Sequence, residues 1–135
     1  MNNIFKIDKI IFLTGTCFGL TSVILGAFGA HGLEKLISQE SLQTFETGVR
    51  YQMYHALLLL FLGATSALST KAKQLIFYLV LIGVFFFSGS IYGLATNQLT
   101  AFNFKNIALI TPFGGLFLIT AWILLLRGFL KIKSK

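Results

Sequence analysis

Gly26-Ala27-Phe28-Gly29-Ala30-His31-Gly32-Leu33 closes one long apolar run, and Phe45-Glu46-Thr47-Gly48-Val49-Arg50-Tyr51-Gln52-Met53-Tyr54-His55 opens the next. The stretch from Gly26 to His55 holds three of the chain's four acids, both histidines and two of its four tyrosines. Around it the chain is strongly apolar: of 135 residues 56% are hydrophobic and 11% charged, and the mean hydropathy is +0.82. A soluble domain this small has too much surface for its volume to hide so much apolar side chain, so the expected solvent is lipid. The expected fold is an all-α membrane protein with a single integral domain over residues 1–135. It is a four-transmembrane-helix bundle with a short amphipathic, outward-facing segment between helices 1 and 2.

Beyond a polar lead from Met1 to Lys9, Ile10 to Ala30 is 21 residues without a charge. At ~1.5 Å rise per residue it spans a hydrocarbon core of ~30 Å, giving a first span at about 10–30. A signal peptide cleaved after Ala27-Phe28-Gly29 is the rival reading, but its apolar part would exceed the usual ~7 to 15 residues. Gly32 suits a left-handed C-cap. Leu33, Leu36 and Ile37, with Glu34 and Lys35, then make the amphipathic turn. Ser38 can cap a new helix with Glu40 in its first turn, where Leu42, Phe45 and Val49 form one apolar stripe.

The second span is expected at about 49–69. A helix continuous from Gln39 would be ~46 Å long, more than the core needs, so it must tilt, protrude or bend, with Gly48 the expected place of a bend. Thr70 to Lys73 reads as a tight hairpin before a third span at about 74–95. A connection with Asn97, Gln98, Asn103 and Lys105 leads to a fourth at about 107–126. Pro112 lies near its start, either behind a Thr111 cap or kinking the helix.

The formal charge is +7, but Lys and Arg flank the apolar runs instead of lining one face. They read as topology determinants and anionic-lipid contacts, and nucleic acid is not an expected partner. Eight of them fall with the N-terminus, second connection and C-terminus, against Lys35, Arg50 and Lys105 on the other side. Both termini are then cytoplasmic and the Gly26–His55 stretch faces outward. Cys17, the one cysteine, reads as a small packing residue. Gly15 and Gly19, Ser22 and Gly26, and Gly89 and Gly93 are each four apart, a spacing that lets helix backbones approach; packing within the bundle is preferred to a homodimer interface.

The candidate functional cluster is His31, Glu46, Arg50, Tyr51, Tyr54 and His55. His55 would sit ~9 Å below the outer edge of its span, facing protein or water. It could carry protons, with an unperturbed pKa of ~6.5, or stay neutral and hydrogen-bond a neighbouring helix, the preferred reading. Glu46 and Arg50, four apart with the acid first, can pair on one helix face. His31 could approach Glu46 or His55, yet no H-E-x-x-H or close His pair exists, so neither a metal nor a cofactor is expected. Without G-x-S-x-G, a Walker-type loop or paired catalytic carboxylates, an enzyme is not expected. Small multidrug transporters are similar in length, but they rely on a membrane-embedded Glu in the first span, and Ile10 to Ala30 has none.

The two quoted motifs, extended to Ala56-Leu57, closely resemble those of the YgdD/YwdK family of small bacterial inner-membrane proteins, itself related to a eukaryotic transmembrane family. Phe87-Ser88-Gly89-Ser90-Ile91-Tyr92, Thr111-Pro112-Phe113-Gly114-Gly115 and Trp122 resemble its later motifs. The resemblance implies a four-span protein of the bacterial plasma membrane with no established activity, cofactor or catalytic residues. The expected role is structural or accessory, binding lipid, another membrane protein or itself. The alternative is a small transporter or channel using His55, Glu46 and Arg50.

Overall fold

Serine hydroxyls mark two of the helix starts. Ser38 accepts a hydrogen bond from the Ser41 amide at 3.2 Å, and Ser69 accepts one from the Ala72 amide at 3.3 Å. The computed structural model describes residues 6–133. Its long helices are α1 (Lys6–His31), α2 (Gln39–Ala64), α3 (Thr70–Ala95) and α4 (Ile110–Leu130). Short 3-10 turns lie at Leu33–Lys35, Asn97–Leu99 and Phe104–Ile107, and no strand occurs among the described residues. Three helical segments, Lys6–Lys35, Thr70–Ala95 and Phe104–Leu130, are long and apolar enough to cross a membrane. α2 matches α1 in length, but Glu40, Gln43, Glu46, Arg50, Gln52 and His55 dilute its hydropathy.

Several local expectations change. Met1 to Phe5 of the polar lead lie outside the described residues; Lys6 to Lys9 form the first turn of α1. Gly32 is not left-handed: its φ is −101°, and a Cβ there would lie 2.8 Å from the Phe28 ring, so the need is for space. Thr70 to Lys73 are the first turn of α3, and the tight connection is residues 65–69. α2 runs unbroken through Gly48, where a Cβ would lie 2.8 Å from the Tyr92 ring and 3.0 Å from Ile91. That glycine provides close helix approach. α4 begins at Ile110, so Pro112 occupies the first turn, where its missing N–H leaves no bond unmade. Thr111 is not the cap; it meets Ser90 at 2.6 Å. Cys17 is exposed, not packed.

The register of the helices is read from what their glycines touch. Along α1 and α2, Phe12 meets Gly63, Gly15 meets Leu59, Gly26 meets Val49, and Gly29 meets Phe45. As one number rises the other falls, so the pair is antiparallel over its whole length. α3 is antiparallel to α2, with Gly48 at Tyr92 and Leu59 in the same core as Val80. α4 returns along α3, with Thr111 at Ser90, Gly114 at Phe87 and Leu118 at Gly83. One end, here the basic end, therefore gathers the start of α1, the 65–69 connection and the finish of α4. The opposite, acidic end holds His31, Glu34, Glu40 and Glu46.

Two apolar clusters fill the interior. The larger, toward the basic end, includes Ile11, Leu59, Leu62, Val80, Leu118 and Ala121; the smaller, toward the acidic end, joins Leu33, Ile37, Leu42, Phe45 and Ala95. Leu33 and Ile37 thus point inward from the turn while Leu36 stays exposed. The α3–α4 connection is held down by Asn97, which accepts from the Phe104 amide at 2.8 Å, and by the Phe104 ring against Gly93.

Candidate functional site

Between the two apolar clusters lies a layer of polar side chains that join helices. Gln52 of α2 donates from Nε2 to the Phe18 carbonyl at 3.0 Å and to Thr21 Oγ1 at 2.7 Å, both on α1. Its Oε1 accepts from the Tyr92 hydroxyl of α3 at 2.7 Å. One amide therefore ties three helices together. Beside it, Ser88 of α3 donates to the Gly48 carbonyl at 2.8 Å. Ser22, 1% exposed, returns its hydroxyl to the Phe18 carbonyl. Among the described residues no buried side-chain nitrogen or oxygen lacks a partner, as a low-dielectric interior demands.

His55 is buried at 3% exposure and both its ring nitrogens are engaged. Nδ1 lies 2.7 Å from the Tyr51 carbonyl, and the Trp122 indole N–H of α4 reaches Nε2 at 3.2 Å. A carbonyl only accepts and an indole only donates, so the proton sits on Nδ1 and the ring is neutral. Tyr51 stacks on the same ring with centroids 6.4 Å apart and packs on Phe87 at 4.8 Å. Tyr54, exposed, touches Tyr51 at 5.7 Å.

The rest of the expected cluster does not assemble. Glu46 and Arg50 form no ion pair; Arg50 instead donates to Thr47 Oγ1 at 3.0 Å. The guanidinium is thus bonded to a hydroxyl one turn back on its own helix. His31 is exposed at the end of α1, whereas His55 lies level with Gly19. Twelve residues of helix separate those levels, ~18 Å, so the two rings do not meet. No group of three metal-binding side chains occurs among the described residues.

The small residues divide in the same way. On α1 a Cβ at Gly15 would lie 3.0 Å from Leu59 Cβ and 3.1 Å from the Ala56 carbonyl, while Gly19 and Gly26 leave ordinary contact distances to Ala56 and Val49. Gly15, Gly19, Ser22, Gly26 and Gly29 alternate four and three apart and hold one face toward α2. On α3, Gly89 faces open space, and Gly93 faces the Phe104 ring instead of a helix. The close approach of α3 and α4 falls at Gly114, where a Cβ would strike the Phe86 and Phe87 backbone, and at Gly83 against Leu118.

An ion pair with no counterpart in the sequence reading lies at the basic end. Lys73 Nζ of α3 is 2.9 Å from Asp8 Oδ1 of α1, with both side chains at most 10% exposed. Neither residue stands out in sequence, because each sits among other charges flanking an apolar run. Gln52 had a weak signal: an uncharged amide one turn from a histidine in an otherwise apolar segment.

These motifs bear on kinship. A family model described as Protein of unknown function (DUF423) matches residues 25–115. The chain belongs to that family. It is 39% identical over 124 residues to UPF0382 membrane protein SSP2132 of Staphylococcus saprophyticus, covering 92% of this chain and 99% of that one. UPF0382 membrane protein YwdK of Bacillus subtilis is 37% identical over 125 residues, 91% and 98% of the two chains. A Haemophilus influenzae UPF0382 membrane protein is 38% identical over 117 residues, 86% and 90%. The expected kinship with YwdK holds, and the DUF423 chain is a membrane protein. No solved structure matches it.

Proposed function

We propose that this DUF423 protein is a non-enzymatic, single-domain, four-span component of the bacterial plasma membrane, with a structural or accessory role. α2 lies in register beside α1 along its whole length, which supports a fourth span wherever α1 crosses. Both termini are cytoplasmic in this reading, on the positive-inside rule; the Asp8 pairing of Lys73 leaves the excess of cations at that end intact. The observation that carries the accessory role is the polar layer: the side chains of Gln52, Tyr92 and Ser88 bond to other helices of the same chain, and His55 accepts from Trp122 of α4. Such bonds hold a bundle together. The outward end, with His31 and Leu36 exposed, is the face that meets another membrane protein, a second copy or lipid.

Affinity purification of the tagged protein from its own membranes in mild detergent, with mass analysis of intact complexes, tests this. The expected result is a partner at fixed ratio that is lost in Glu46→Lys or Arg50→Glu. Protein recovered alone that moves an ion or solute across liposomes, with movement abolished by His55→Ala, would replace the accessory role with transport. A reporter fused after Lys135 is expected to read cytoplasmic.

A further inference from the structure

At the basic end a groove of about 530 Å³ opens between the 65–69 connection and the last turn of α4. Leu68, Leu75, Leu124 and Ile132 give it apolar walls, and Ser69, Arg127 and Lys131 give it a polar rim. Gly128 keeps the groove floor tight, since a Cβ there would run into the Leu68 side chain. Arg127 and Lys131 are four apart and so lie on one side of the helix. Cations at a helix C-terminus ordinarily answer the negative end of the dipole. Here the charge goes further than that, because no acidic side chain remains to neutralise it. Asp8 is held by Lys73, while Glu34, Glu40 and Glu46 stand at the opposite end of the molecule. Ser69 caps α3, so the positive end of a second dipole faces the same groove.

Two cations and a helix start above apolar walls match an anionic head on an apolar tail. We propose that the groove binds one anionic glycerophospholipid. Arg127 and Lys131 hold its phosphate, and the start of an acyl chain lies along Leu75 and Leu124. This rests on the chain being embedded in a membrane and not on which face of the membrane the basic end meets.

The test uses the purified full chain in non-ionic detergent, with intact-mass measurement of bound lipid. Phosphatidylglycerol and phosphatidylcholine carrying the same acyl chains are the probes. The expected result is one phosphatidylglycerol retained in preference, with Arg127→Gln/Lys131→Gln weakening it roughly thirty-fold. Lys9→Gln/Lys71→Gln removes the same charge from exposed positions at the same end and is expected to weaken it by less than about threefold. Ala67→Trp fills the groove from an exposed position, keeps both charges and is expected to lose the lipid. Equal retention of the two lipids, or equal losses in the two double variants, would overturn the site. Displacement of the lipid by free glycerol phosphate would show that the headgroup alone is the ligand and overturn the assignment to a lipid. A reporter placing the C-terminus outside would break the orientation proposed above and leave these binding ratios unchanged.

Discussion

The acidic and basic ends of the molecule use their ionisable residues in opposite ways. At the acidic end Glu46 and Arg50 have the right spacing and order for a helix ion pair, yet no pair forms and the arginine settles on Thr47. At the basic end Asp8 and Lys73, 65 residues apart, are buried against each other. The difference teaches that density of ionisable residues in a sequence marks where charge meets water, whereas a charge bearing on stability is one that tertiary packing has enclosed. Exposed pairs contribute little, because water competes for both partners.

Removing one member of the buried pair is the sharpest way to break this contrast. Lys73→Met leaves the Asp8 carboxylate enclosed without its counter-ion and is expected to cost about 3 kcal/mol, measured by denaturant unfolding in detergent. Asp8→Leu added to it is expected to recover most of that loss, since the isolated charge and not the missing attraction dominates. If Lys73→Met alone is neutral, the pair is more solvated than its burial indicates.

Two glycines of the α3–α4 pair allow a second comparison. Gly114→Ala sets a Cβ against the Phe86 and Phe87 backbone and forces α3 and α4 apart, with an expected loss of about 2 to 3 kcal/mol. Gly89→Ala enters open space and is expected to be neutral or to stabilise α3 by up to about 1 kcal/mol, because alanine is the better helix former. Thermal unfolding of the two variants side by side separates a small residue needed for contact from one that only has the right spacing.

Gln52→Leu comes next. It removes the bonds to Phe18, Thr21 and Tyr92 at once, and interhelical bonds in membranes are individually modest, so about 1 to 2 kcal/mol is expected. Tyr92→Phe, which breaks one of the three, is expected to lose about half as much. The smallest effect belongs to the residues that the sequence makes most conspicuous. Glu46→Gln and Arg50→Gln are each expected to shift stability by less than about 0.5 kcal/mol. A larger loss would mean that these side chains have a partner within the chain after all.

Much of the secondary structure is legible in the chain because its causes are local. Ser38 caps α2 through an amide three residues away, and an apolar run ending near Ala95 ends a helix at Ala95. The glycines mislead where their cause is not local. Gly48 reads as a bend, yet it makes room for the ring of Tyr92 on α3. Gly89 and Gly15 share the same four-residue spacing and differ only in what lies opposite.

The sequence by itself determined that the chain is helical and suited to lipid, since hydropathy and capping act over a few residues. Only the tertiary structure decided that Gln52 binds α1 and α3, that His55 answers Trp122, and that Asp8 answers Lys73. Those partners lie 31 to 67 residues apart, and what joins them is the rotation and register of whole helices against one another. That arrangement is set by where a glycine lets two backbones close, and no window of local sequence contains both sides of such a contact.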